Sequence, residues 1–416
     1  MEILVENLGP IKAGEIDLAK DLIILTGPNN TGKSYVAYLI YGILKIGKTS
    51  GEVKTRVLTF CNQKYADELG NETDLKKAVL DNYEFLLNII NEFILKQIPQ
   101  IFASKNVNPS VKIQEKKIPT GKITINNQLI NSADIPNAFF IFYFLKMFLP
   151  NSIIFFPAER AAINMLAKEI IRNKASERDD IAKKLLAGEE LETIVFAAKQ
   201  NNLLPRYPLA ISDYLYFISD LDYISKNDSD FADFADEIEK KLLQGQVFIS
   251  DYGDIKFTPQ NGQQALDIHL SSSLVKSLSG LVLYFRHLAQ EGDVIIMDEP
   301  ELNLHPDNQR IVAKIFAKAV NRGFKVILST HSNYLIKEFN NLIMLHNASE
   351  TDIKEFGYDK TVTLDKEKIS AYFFSNNTME SIEVSDTGLS VKTIDATIDS
   401  LDNTMENIYY RFFESA

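Results

Sequence analysis

Apolar residues in this chain fall into two kinds of run. Short unbroken stretches, Leu22–Leu25, Ile153–Phe156, Val294–Met297 and Val326–Leu328, read as strands buried on both faces. Longer stretches carry apolar residues on helical spacing: Val36, Leu39, Ile40, Ile43 and Leu44 in one, and Leu69, Leu75, Val79, Leu86, Ile90 and Ile94 across 62–98 in another. Ile3, Val5 and Leu8 run into the turn Gly9-Pro10 and predict an opening hairpin or meander. Alternation around Lys122-Ile123-Thr124-Ile125 predicts a hairpin over 111–131, with an aromatic-rich helix over 137–148 behind it. Residues 161–245 are charged and helical, broken at Pro205 and Pro208; their nearly balanced charges predict a mostly solvated face. Short strands are expected at Val247–Ser250, Ile255–Thr258 and Ala265–His269, a helix over 307–321, then mixed short strands and a terminal helix over 395–413. Neither repeats nor low-complexity tracts interrupt the pattern.

Strand–helix alternation on both sides of a helical stretch predicts an α/β core whose two halves share one sheet. The expected division is 1–158 and 246–416 for the core and 159–245 for a helical insertion lobe. With 416 residues, 45% of them hydrophobic and 24% charged, the composition is globular rather than disordered. No apolar run approaches the ~20 residues of a membrane helix. Glu2 and Glu6 stand where a secretory signal would be basic and then apolar, so a cytoplasmic protein is expected. The single cysteine, Cys61, excludes an internal disulfide and a cysteine zinc cluster. A net charge of −12 weighs against a surface that binds nucleic acid all over, while 44 Lys and Arg leave a local basic groove open.

Three polar segments follow the buried strands. Gly27-Pro28-Asn29-Asn30-Thr31-Gly32-Lys33-Ser34 fits G-x-x-x-x-G-K-[ST] in full, between an apolar strand and a helix. Its glycines let amide groups turn towards a β-phosphate at a helix N-terminus, Lys33 reaches the β- and γ-phosphates, and the Ser34 hydroxyl is placed for Mg²⁺. Asp298 and Glu299 end the strand from Val294; Asp298 suits the metal, and Glu299 suits a general base that polarises water. A pair of acids alone is weak, since many strands end in a polar turn; after a complete phosphate loop the pair points to ATP hydrolysis. His331 ends the strand from Val326, where a neutral imidazole would contact the γ-phosphate and hold the attacking water. At Pro157-Ala158-Glu159-Arg160 two readings stand: an ion pair between Glu159 and Arg160, or groups near the nucleotide or a dimer seam.

Together these motifs resemble the ABC-type ATPases, in the group of SMC, RecF and OLD heads rather than transporter subunits. The resemblance rests on Gly27–Ser34 as Walker A, Asp298 and Glu299 as Walker B, and His331 as the switch histidine. The run Asp298-Glu299-Pro300-Glu301-Leu302-Asn303-Leu304-His305-Pro306 and the opening Leu8-Gly9-Pro10-Ile11 are especially similar to OLD-type defence ATPases. It covers about 1–50 and 265–345, and implies a P-loop NTPase fold with an ABC-type head interrupted by the insertion. The signature is expected at Leu270-Ser271-Ser272-Ser273, where serines replace both usual glycines; Leu278-Ser279-Gly280-Leu281 is a closer match that falls inside a helical pattern. His305 stands where the usual D-loop has aspartate, and Gln63 matches a Gln-loop in residue type alone.

The resemblance implies an ATPase that closes as a homodimer or higher oligomer around Mg-ATP, with Ser271, Ser272 and Ser273 reaching a partner's nucleotide. It also implies a separate effector, such as a nuclease or toxin, as in the anti-phage systems Septu, PARIS and retron-linked modules. The insertion has no sustained heptads for an SMC arm, and the 84 residues that follow His331-Ser332 are too few for the Toprim domain of OLD nucleases. Asp395, Asp399 and Asp402 lie at helical spacing and read as a solvated face. Two other functions remain open: a slow-turnover scaffold assembled by nucleotide, and a RecF-like DNA repair ATPase. A transporter subunit fits the insertion and tail least well.

Overall fold

The computed structural model describes residues 1–49, 83–114, 123–125, 128–130, 152–167, 169–170, 207–262, 264–390 and 392–413. In chain order the strands are β1 (Glu2–Leu8), β2 (Ile11–Asp17), β3 (Leu22–Thr26), β4 (Ser110–Gln114), β5 (Ile123–Ile125), β6 (Gln128–Ile130) and β7 (Ile153–Phe156). They continue with β8 (Gly245–Ile249), β9 (Ile255–Pro259), β10 (Leu266–Asp267), β11 (Val294–Asp298), β12 (Lys325–Thr330), β13 (Ile369–Ser375) and β14 (Thr378–Ile382). The helices used below are α1 (Lys33–Thr49), α2 (Tyr83–Ile101), α3 (Leu209–Ser219) and α4 (Ala232–Ile238). After them come α5 (Ser273–His287), α6 (Pro306–Asn321), α7 (Asn333–Met344) and α8 (Lys392–Phe412).

One sheet joins both ends of the chain, in the order β4-β1-β2-β14-β13-β3-β12-β11-β7. From β13 to β7 all neighbours run parallel. The opening hairpin forms as expected, β1 against β2 around Gly9, and β4 adds to its outer edge. The hairpin expected over 111–131 is therefore two separate things: β4 belongs to the main sheet, and β5 pairs with β6 alone.

The unbroken apolar strands are explained by burial on both faces. Leu22 and Ile24 of β3 join a core with Ile295, Met297, Val326 and Leu328, covered by α5, α6 and α7. Ile23 and Leu25 point the other way, into a core with Ile296, Ile327 and the α1 residues Val36, Leu39 and Ile40. Alternation at period two thus sends each strand into two cores. That layering fixes the C-terminal ends of β3, β12 and β11 side by side.

The described part of the insertion is helical, but one of its faces is not solvated. Tyr214, Leu215 and Ile218 of α3 and Phe234, Ala235 and Ile238 of α4 are buried in the same core as Leu278, Leu281, Val282 and Phe285 of α5. Phe234 stacks on Phe285 with centroids 4.8 Å apart, and Phe231 meets Phe324 edge-on at 4.7 Å. Aromatic residues, rather than charge balance, decide where this stretch goes. The expected helix over 137–148, residues 62–82, Cys61 and Gln63 lie outside the described residues. Helix α8 forms where a terminal helix is expected, and its described side chains, from Ser400 to Phe412, are exposed; of the three aspartates only Asp402 is among them. Among the described residues no helix is long and apolar enough to cross a membrane.

Candidate nucleotide site

The loop between β3 and α1 takes its shape from backbone conformations that its residues favour. Gly27 and Gly32 have φ of 139° and 101°, and Asn30 has φ 61°. A Cβ at Gly27 would run into the Phe374 carbonyl, and one at Gly32 would lie 2.8 Å from the Ile11 side chain. Pro28, Asn29 and Asn30 are exposed, Thr31 is half-buried and donates to the Pro28 carbonyl at 2.8 Å. Lys33 opens α1 and folds back, its Nζ donating to the carbonyls of Gly27 at 2.8 Å and Pro28 at 2.7 Å. Burial pushes the Lys33 amine below its usual range, against the opposing pull of Glu299, Asp298 and Glu301. Ser34 follows it in the first turn, half-buried.

Across β12, the end of β11 brings up the carboxylates. Asp298 is buried and its Oδ1 accepts from the Ser329 hydroxyl, the residue paired with it in the sheet. Glu299 leaves the strand with φ 47°, left-handed for a residue with a side chain, and its amide donates to the Ser329 carbonyl at 2.9 Å. Burial, then Asp298, pushes the Glu299 carboxyl above the usual carboxylate range, while His331 and Lys33 pull it down.

His331 meets both acids: its Nδ1 lies 3.3 Å from Glu301 Oε1 and 3.8 Å from Glu299 Oε1. Glu301 is the residue sequence reasoning missed. Its Oε1 accepts from the Thr330 hydroxyl and the His331 amide, each at 2.8 Å, and its Oε2 is buried without a hydrogen bond. The signal was the spacing: three carboxylates within four residues, of which only the first two were assigned.

At 157–160 the structure excludes the ion-pair reading. Glu159 is exposed, Arg160 is fully buried, and Arg160 makes no ion pair with Glu159. Its guanidinium donates instead to the carbonyls of Ser277 at 3.2 Å, Pro157 at 3.2 Å, Asp298 and Glu299 at 2.9 Å each, and Pro300 at 3.5 Å. Glu159 is close enough to Tyr38 to act with Asp298 in raising that phenol, after burial, above its usual range.

Lys33, Asp298, Glu299, Glu301 and His331 therefore meet around the phosphate loop. Ser271, Ser272 and Ser273 stand at the start of α5, the helix whose Ser277 carbonyl accepts from Arg160 at 3.2 Å. Ser272 caps the helix, accepting from the Val275 amide at 3.3 Å; Ser272 and Ser273 are exposed, while Ser271 is buried and donates to the Asp267 carbonyl. Leu278-Ser279-Gly280-Leu281 lies inside α5 and is buried, and a Cβ at Gly280 would strike the Tyr214 hydroxyl. That glycine serves packing. His305 caps α6, its Nδ1 accepting from the Asp307 amide at 3.4 Å ahead of Pro306 at the first helical position.

A model of the AAA ATPase domain family matches residues 1–336. A probable metal transport system ATP-binding protein of Chlamydia pneumoniae is 30% identical over 87 residues, 21% of this chain and 34% of that protein. The chain thus spans about a third of the length of that curated relative. Among solved structures, the SMC head domain from Thermotoga maritima is 10% identical, with 92% of this chain and 98% of that one covered at a TM-score of 0.33. The Smc head domain with an extended coiled coil, bound to the C-terminal domain of ScpA and derived from Pyrococcus furiosus, is 13% identical, covering 97% and 98% at a TM-score of 0.35.

Proposed function

Because the chain belongs to the AAA ATPase domain family, we propose that it binds ATP in the 27–34 loop and hydrolyses it to ADP and phosphate. One observation carries this reading: Lys33, at the start of the helix that follows β3, meets Asp298, Glu299 and His331, at the ends of β11 and β12, at the sheet end where such folds bind ligands. The hard oxygens of Ser34 and Asp298 fit Mg²⁺, which takes few protein ligands and keeps water and phosphate oxygens for the rest. These two residues would hold the ion, which would offset phosphate charge.

Within that site the loop amides of 27–34 orient the β-phosphate, and Lys33 leaves its two loop carbonyls for the phosphates. Glu299 takes a proton from water as the water oxygen bonds to the γ-phosphorus and the bond to the leaving ADP oxygen breaks. A carboxylate with a raised pKa is a better base for this step than an ordinary one. Glu301 holds the Nδ1 side of His331, which leaves Nε2 for the γ-phosphate or the attacking water.

The finer reading rests on the motif resemblance. ATP closes a homodimer, Ser271, Ser272 and Ser273 of one chain face the partner's nucleotide, and hydrolysis reopens it. The cycle then gates a separately encoded effector in anti-phage defence, inside the cytoplasm. Light scattering with and without Mg-ATP, alongside phosphate release, tests the scheme on wild type and Glu299→Gln. The variant should lose turnover and persist as a larger ATP-bound species. Identical assembly of both proteins without ATP, and no phosphate release from either, would replace the cycle with the scaffold reading.

A further inference from the structure

Arg160 is fully buried, yet every one of its hydrogen-bond partners is a backbone carbonyl. A guanidinium taken out of water is costly unless its donors are satisfied, and here the satisfaction is concentrated on one turn. Three of the five carbonyls belong to the consecutive residues Asp298, Glu299 and Pro300. In the middle of that turn Glu299 has φ 47°, a conformation that a residue with a side chain keeps only when its surroundings over-determine it. Carbonyls of successive residues turned towards one point repel each other, and a planar cation at that point converts the repulsion into attraction. The fourth carbonyl, Ser277, lies on α5, so the same group ties the turn to the helix that begins at Ser273.

We infer that Arg160 is the positioning residue for Glu299: it clamps the left-handed 298–300 turn and fastens it to α5, so that the base stays aimed at the nucleotide. This inference rests on the hydrolytic reading above. Only arginine supplies the role, because a lysine keeps the charge but lacks a planar five-donor fork to serve α5 and the turn together.

The test uses full-length Arg160→Lys and Arg160→Gln, each also combined with Glu299→Gln. Nucleotide affinity is read with a fluorescent ATP analogue, kcat and KM by release of radiolabelled phosphate, and folding by thermal unfolding. Arg160→Lys should bind nucleotide within a few-fold of wild type, keep KM, and lose roughly 10–100-fold in kcat, the scale of a misplaced catalytic group. The double variant should turn over no more slowly than Glu299→Gln alone, since both losses pass through one carboxylate. Unchanged kcat, a parallel loss of affinity, multiplied losses in the double variant, or failure of both single variants to fold would each overturn the proposal. Wild-type turnover in Glu299→Gln would remove Glu299 as base and this proposal with it. A drop there with none in Arg160→Lys would sink the Arg160 proposal alone.

Discussion

Single residues set the chemistry here through what surrounds them. Glu299 shares its corner with Asp298 and Glu301, and its carboxyl is held above the usual range by burial first and Asp298 second. If Glu299 is the base, kcat should fall as pH drops through a value above the ordinary carboxylate range, and the acid limb should vanish in Glu299→Gln. Stability should move in the opposite sense. A raised folded-state pKa means the protonated form is favoured by folding, an advantage fully present below the unfolded carboxyl value and lost as pH rises through the folded one. Glu299→Gln should therefore melt higher than wild type at neutral pH, by about 1–3 °C, with the gap closing in acid; a variant that melts lower at neutral pH would contradict it. Glu301→Gln keeps the shape but weakens the hold on the His331 and Thr330 donors. Its kcat should fall roughly 10–100-fold, the range for a lost orienting partner, with nucleotide affinity unchanged in a binding titration.

At the level of elements, most of the pattern was legible because burial on two faces leaves an unmistakable apolar run. Strands β3, β7, β11 and β12 start and stop within two residues of the positions the runs predict, and α6 within one. The hairpin over 111–131 misled because local alternation does not say which neighbour a strand takes, and β4 takes β1. The choice between the two signature-like segments turned on helix interior against helix start. Gly280→Ala should cost about 1–3 kcal/mol by overpacking against Tyr214, measured by urea unfolding, and leave nucleotide affinity intact in the folded fraction. Loss of turnover without loss of stability would return Leu278–Leu281 to the signature role.

For the whole molecule, two halves of the chain build one sheet, so ATP in the proposed site would stabilise both halves together. Mg-ATP at 100 times its dissociation constant should add about 2.7 kcal/mol to unfolding. Lys33→Ala, which removes the amine held inside the loop, should lose most of that gain at equal nucleotide, as calorimetry or a dye-based melt would record. Equal stabilisation of both proteins would place ATP elsewhere.

The sequence by itself determined the α/β class and picked out the phosphate-loop motif, the carboxylates Asp298 and Glu299 and the histidine His331, because each depends on residues adjacent in the chain: a run buried on two faces, ended by a polar group. Tertiary structure alone decided that Glu301 holds His331, that the helical stretch buries a face against α5, and that Arg160 grips the Asp298–Pro300 turn instead of pairing with Glu159. Those contacts join residues from 30 to 140 positions apart, and spacing along a chain carries no record of which carbonyl a distant guanidinium will find.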